Sequence, residues 1–236
     1  MNKVVNDVAE AVASIKDGDS IFIGGFGEAG SPIELIHALV DHGAKDLTII
    51  SNNAGNGYIG LAALIHAGQV KKMVCSFPRS SNSIAFTERY LAGEIELDIV
   101  PQGTLAERIR CGGAGIPGFY TPTGVGTPLA EGKEEKNFDG IPYLLERSLT
   151  ADVALIKAEC ADTLGNLTYN KTARNFNPMM CTAAKKTIVQ ARQIVEPGGI
   201  DPEAVVTPQL FVNTLVEVTQ PLQESELIRQ GRRYPW

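Results

Sequence analysis

The chain has 236 residues, 44% of them apolar, enough to bury a sizeable core within one domain spanning 1–236. Its 21 Lys+Arg against 27 Asp+Glu give a formal charge of -6 and a pI near 5.2, which oppose a nucleic-acid or anionic-membrane partner. Cys75, Cys111, Cys160 and Cys181 form no CxxC pair, and His37, His42 and His66 lack zinc-ligand spacing, so neither a disulfide scaffold nor a metal site is expected. Met1 to Ser20 carries Asp7, Glu10, Asp17 and Asp19 and no apolar stretch of signal-peptide length, and no later run reaches membrane-spanning length. The expected location is cytoplasmic.

Val5, Val8, Ala9, Val12 and Ala13 recur at helical spacing, and Asp17-Gly18-Asp19 breaks the pattern before the apolar run Ile21-Phe22-Ile23. After this strand comes the glycine-rich stretch Gly24 to Gly30. Ser31-Pro32-Ile33-Glu34 then reads as a capping box opening a helix from Pro32 to Gly43. The alternation continues with Leu47–Ile50 as strand, Tyr58–Ala67 as helix, Met73–Cys75 as strand, Ser83–Leu91 as helix and Ile95–Val100 as strand. Such alternation predicts an α/β fold, an open and mostly parallel sheet with helices on both faces. Gly112 to Gly126 reads as one long loop, and Lys133–Leu145 as a small β-hairpin insertion around Asp139-Gly140. Val153–Ile156 and Thr187–Val189 restore buried-strand composition around a partly helical Lys171–Ala184, and the charged tail Gln223–Trp236 is expected to be poorly ordered.

Gly25-x-Gly27-x-x-Gly30 satisfies the dinucleotide-binding pattern, and between a strand and a helix its backbone N–H groups can approach phosphates or a thioester. A nicotinamide site also needs an acidic residue at the end of the second strand, where this chain has Ser51-Asn52-Asn53. The helix also starts only after the last glycine. Both points argue against a nicotinamide-dependent oxidoreductase.

Asp17-Gly18-Asp19-Ser20-Ile21-Phe22-Ile23-Gly24-Gly25-Phe26-Gly27-Glu28-Ala29-Gly30-Ser31-Pro32 resembles the signature of the A (alpha) subunit of the family I (3-oxoacid) coenzyme A transferases. The resemblance continues through Ser51–Gly55, Pro101-Gln102-Gly103-Thr104-Leu105, Thr121–Thr127 and Leu164–Tyr169, covering roughly residues 1–218. Asn56-Gly57 and Cys75-Ser76-Phe77-Pro78-Arg79 resemble most the 3-oxoadipate branch of that family.

The resemblance implies transfer of CoA from succinyl-CoA to a 3-oxoacid, with 3-oxoadipate preferred as acceptor over acetoacetate or a short fatty acid. It implies a CoA thioester as substrate, no permanently bound cofactor, and a glutamyl-CoA intermediate on a glutamate of a partner B (beta) subunit, in a heterotetramer of two copies of each chain. The glutamate motif is missing from this chain. Glu28 and Glu131 lack its flanking residues and read as solvated loop carboxylates. By resemblance, the Gln102 side chain is the oxyanion donor, the alternative being a polar residue that helps cap the helix after it. Gly24, Gly25, Phe26, Gly27, Glu28, Ala29 and Gly30 by the same resemblance form the CoA-binding segment, whose glycines let the backbone lie against the thioester. Asn52 and Asn53 either bind a substrate carboxylate or shape their turn. Arg79 is either a clamp for a distal carboxylate or a surface arginine. A non-catalytic metabolite-binding regulator on a related fold is the rival of another class.

Overall fold

A computed structural model describes residues 3–80 and 82–236. The expected alternation is present. In chain order come α1 (Val8–Val12), β1 (Ser20–Ile23), α2 (Ile33–His42), β2 (Leu47–Ile50), α3 (Leu61–His66), β3 (Val70–Cys75), α4 (Ile84–Leu91), β4 (Glu96–Ile99) and α5 (Gln102–Gly113). The second half contains β5 (Gly118–Thr121), β6 (Glu135–Phe138), β7 (Ile141–Arg147), β8 (Ala151–Asp162), β9 (Leu167–Thr168), α6 (Asn177–Ala183), β10 (Ala184–Val195), β11 (Thr214–Glu217) and α7 (Glu224–Arg229).

The main sheet runs β11-β10-β8-β1-β2-β3-β4, every pair parallel, with β9 added antiparallel to β8. Alternate strand residues face opposite sides, so Ile21 and Ile23 pack with α1–α4 while Phe22 packs with α5 and α6. Both faces are covered, as near-continuous apolar strands require. The chain moves outward from β1 to β4, then returns to β8 on the other side of β1. The strand order therefore reverses between β1 and β8, and the carboxyl ends of strands at such a reversal form the natural ligand crevice of an open α/β sheet. Among the described residues, no helix is long and apolar enough to cross a membrane.

The structure corrects several local expectations. Ser31 and Glu34 do not form a capping box: Pro32 is the cap with no side-chain bond, and the Glu34 carboxylate instead accepts from Gln190 Nε2 and the Leu222 N–H. A tertiary demand for a carboxylate outcompeted the local cap. Helix α2 does end at Gly43, which takes φ 82 and bonds to Leu39 O. A Cβ at Gly43 would meet nothing within 4 Å, so Gly43→Ala should cost only left-handed backbone strain, about 1 kcal/mol in a thermal melt.

The span Tyr58–Ala67 is helical only from Leu61, because Gly57 and Gly60 take φ 57 and 55. Gly112–Gly126 is not one loop: Gly112 and Gly113 end α5, and Gly118–Thr121 is a strand pairing with β7. The predicted hairpin is β6–β7, with Asp139 and Gly140 at φ 51 and 84 as a two-residue turn of that hand requires. With β5 it forms a separate three-stranded antiparallel sheet.

The tail is packed rather than loose. Tyr234 stacks on His37 with ring centroids 3.8 Å apart, its N–H donates to Tyr58 O at 3.0 Å, and α7 buries Glu224. His37 in turn accepts the Gly60 N–H on Nε2 at 2.9 Å. Burial pushes its pKa down to about 4, so it is a neutral structural acceptor at physiological pH.

Candidate active site

The carboxyl ends of β1, β2, β3 and β4 converge on one cleft of about 510 Å³. Phe26 and Gly27 follow β1, Asn52 and Asn53 follow β2, Ser76 and Phe77 follow β3, and Gln102 follows β4. Parallel strands with short exits place these segments side by side although about 25 residues of chain separate one from the next, the length of a βα unit.

Gln102 is the first residue of α5 and leaves the capping to Pro101, which makes no side-chain cap bond. Its Nε2 instead donates to Asn52 Oδ1 at 2.9 Å. Asn52 is 3% exposed, and the same Oδ1 accepts from Ser76 Oγ at 2.7 Å. Ser76 Oγ also lies 3.0 Å from Asn52 O. Asn52, anchored by Ser76, thus takes one N–H of the exposed Gln102 amide, and its second N–H can serve a ligand in the cleft. Asn53 Oδ1 accepts the Gly55 N–H at 3.1 Å, an Asx-turn. Deeper in the wall, Asn56 Oδ1 accepts from Ser80 Oγ at 2.5 Å and Ser83 Oγ donates to Gly55 O at 3.0 Å.

Arg79 does not line this cleft. It is exposed and borders an adjoining hollow of about 360 Å³ that shares Ser80 and Ser83 with the cleft.

The glycine loop divides into parts with different surroundings. Phe26, 52% exposed, and Gly27 face the cleft, and the Phe26 N–H closes a tight turn onto Ala29 O at 3.0 Å. Gly27 takes φ 60, a Cβ there would meet nothing within 4 Å, and its N–H has no acceptor among the described residues. Gly24, Gly25 and Gly30 are buried. A Cβ at Gly24 would lie 2.0 Å from Asn177 Oδ1, and one at Gly25 3.1 Å from the Ser31 backbone. Protein atoms, not an approaching ligand, exclude side chains at these two positions. Only Gly27 keeps an open face for a substrate.

Glu28, Ala29 and Gly30 line a second hollow of about 420 Å³ with Lys157, Lys171 and Arg192. Glu28 is half-buried and is less solvated than expected: its Oε1 is buried with no hydrogen-bond partner among the described residues. Its charge bears on Glu224, 5% exposed, whose pKa is pushed up to about 7, first by burial and then by Glu28, against the opposing Asn56 amide. Glu131 is exposed on the loop before β6. The sequence reading missed Ser76, Ser80, Ser83, Glu224 and the asparagines of Asn175-Phe176-Asn177. The serines stood in or beside the Cys75–Arg79 run, but nothing local marks Glu224 or the asparagines.

The cleft therefore carries amide, hydroxyl and backbone donors from four loops, and among the described residues no carboxylate, thiol or imidazole lines it. It can polarise a carbonyl or hold an oxyanion, but these residues offer it no activated nucleophile.

The chain is 58% identical over 219 residues to the A subunit of a 3-oxoadipate CoA-transferase of Pseudomonas putida, covering 93% of this chain and 95% of the relative. It is 53% identical over 216 residues to the A subunit of a probable succinyl-CoA:3-ketoacid coenzyme A transferase of Bacillus subtilis, covering 92% and 90%. The fold matches that of an acyl-CoA transferase from Escherichia coli O157:H7, solved as a thioester complex with CoA, with a TM-score of 0.80 at 22% identity, over 94% of this chain and 48% of that one. This chain thus spans about half the length of that solved protein. The profile of the family described as Coenzyme A transferase matches residues 5–218, and the chain belongs to that family.

Proposed function

We propose that this chain is the A (alpha) half of a two-subunit CoA-transferase that moves CoA from succinyl-CoA to a 3-oxoacid, with 3-oxoadipate the favoured acceptor. The observation that carries this reading is a cleft with oxyanion donors and, among the described residues, no activated nucleophile, in a chain 58% identical to an A subunit named for 3-oxoadipate. Half of the chemistry must come from another chain. A partner B subunit supplies the glutamate that takes up the acyl group and then the CoA thioester, in a heterotetramer of two copies of each chain in the cytoplasm.

In this reading Gln102, oriented by Asn52, donates its free N–H to the oxyanion formed at each attack. The Phe26–Gly27 edge of the loop lies against the thioester, where the absent Cβ admits it. Asn53 meets the acid at the end of β2, and Arg79, one hollow away, fits the distal carboxylate of a dicarboxylic acceptor by a two-point guanidinium fork. The 53% relative named for a 3-ketoacid supports acetoacetate-type acceptors as the second reading.

The test is CoA transfer from succinyl-CoA to 3-oxoadipate and to acetoacetate, by this chain alone and after coexpression with its B subunit. Transfer only by the pair is expected, faster to 3-oxoadipate. Transfer by the chain alone would refute the placement of the nucleophile, and a folded pair inactive on both acids would refute the acceptor class.

A further inference from the structure

Two asparagines in the connection from β8 to β10 grip the glycine loop from behind. Asn177 is fully buried. Its Nδ2 donates to Gly30 O at 3.1 Å and to Ala173 O at 2.9 Å, and its Oδ1 accepts the Lys157 N–H at 3.2 Å. Asn175 Nδ2 donates to Ala29 O at 2.8 Å and to Thr172 O at 2.7 Å, and its Oδ1 accepts the Phe176 N–H at 2.7 Å. Both donors of each amide are spent, one of them on a loop carbonyl. The fully buried Asn177 amide, satisfied in this way, has one stable orientation, because any other leaves buried groups unpaired.

The same amide occupies the space where loop side chains would stand. A Cβ at Gly24 would lie 2.0 Å from Asn177 Oδ1, and one at Gly30 would lie 2.7 Å from Asn177 Nδ2 and 2.5 Å from Ala173 O. Asn177 thus touches the loop where it leaves β1 and where it enters α2, and Asn175 holds Ala29 between. Gly27, on the far side of that turn, is left facing the cleft. The contact also joins the two strands between which the sheet order reverses, since the asparagines follow β8 and the loop follows β1.

We propose that Asn175 and Asn177 are positioning residues of the active site, fixing the glycine loop against α6 so that its Phe26–Gly27 edge stands beside Gln102. The proposal rests on the transferase reading for where the reaction occurs, but not for the grip itself. A displacement of about 1 Å at a reacting centre costs roughly a hundredfold in rate, so loosening the loop should slow the chemical step more than it weakens binding of the large CoA thioester.

The experiment compares the coexpressed pair of subunits with two variants, Asn175→Ala, whose side chain is half-buried, and Gly24→Ala, whose new methyl displaces the Asn177 amide. Amide hydrogen exchange over residues 24–31 is read against β2 and β3, with kcat and KM for succinyl-CoA measured alongside. Expected are exchange about tenfold faster in the loop alone and kcat lower by about tenfold or more, with KM changed less than about threefold. Unchanged loop exchange in both variants would overturn the grip. Faster exchange with wild-type kcat would overturn the positioning role, as would KM rising while kcat holds. A wild-type pair that transfers no CoA would instead defeat the transferase reading, and the exchange data would still decide whether the loop is held.

Discussion

Replacing Gln102 with alanine in the assembled enzyme should lower kcat by about a hundredfold to a thousandfold, the usual loss for one oxyanion donor. The side chain is exposed at the cleft and caps no helix, so stability should change by no more than about 0.5 kcal/mol. Its side-chain hydrogen bond goes to Asn52 Oδ1 at 2.9 Å, which makes Asn52→Ala a milder version of the same defect: Gln102 is kept but loses its orientation. Gln102→Glu should be at least as damaging as alanine, since it sets an acceptor against both Asn52 Oδ1 and the oxyanion. Steady-state kinetics on purified pairs of subunits would check this. A Gln102→Ala enzyme within about threefold of wild-type kcat would remove Gln102 from the chemistry.

Glu224→Gln should stabilise the protein at alkaline pH and leave it nearly unchanged at acid pH. Burial, reinforced by the charge of Glu28, raises the Glu224 pKa from 4.5 to about 7 in the folded state. The unfolded chain therefore releases this proton near pH 4.5, while the folded protein keeps it until about pH 7. The contribution of Glu224 is fully present below pH 4.5 and is lost as pH rises through 7, a swing of about 3 kcal/mol for such a shift. Glutamine is neutral throughout and retains an acceptor for Asn56, so it abolishes the swing. Asp152 acts with the opposite sign: Lys185 first, then Ser20, hold its carboxyl below the usual carboxylate range, and its contribution is lost as pH falls through that lowered value. That effect is common to both proteins and cancels in their difference. Thermal midpoints at pH 5 and pH 8 for wild type and Glu224→Gln provide the measurement. The same difference at both pH values would show that Glu224 does not titrate in this window.

Much of the architecture could be read along the chain because short apolar strands and amphipathic helices are local signals. Ile21–Ile23, Leu47–Ile50, Met73–Cys75 and Val153–Ile156 were legible as strands from composition alone. The hairpin at Asp139-Gly140 and the helix end at Gly43 were legible because each needs a positive φ that few residues accept. The Ser31–Glu34 cap failed for the reverse reason: Glu34 found its partners on Gln190 and Leu222, far along the chain, and local pattern does not register such competition. The tail failed likewise, since its order comes from Tyr234 stacking on His37 and from the burial of Glu224 near Asn56 and Glu28.

By itself the sequence determined the α/β class, the parallel sheet, the coenzyme A transferase resemblance and Gln102 as a candidate donor, all properties carried by contiguous residues. Only the tertiary structure decided that Asn52, itself held by Ser76, orients Gln102, that Arg79 lies outside the cleft, that Asn177 fills the space a side chain at Gly24 would need, and that Ala173 O and Asn177 together crowd Gly30. Each of these is a contact between segments brought together by parallel strand order, and a single chain records that order nowhere in its local pattern.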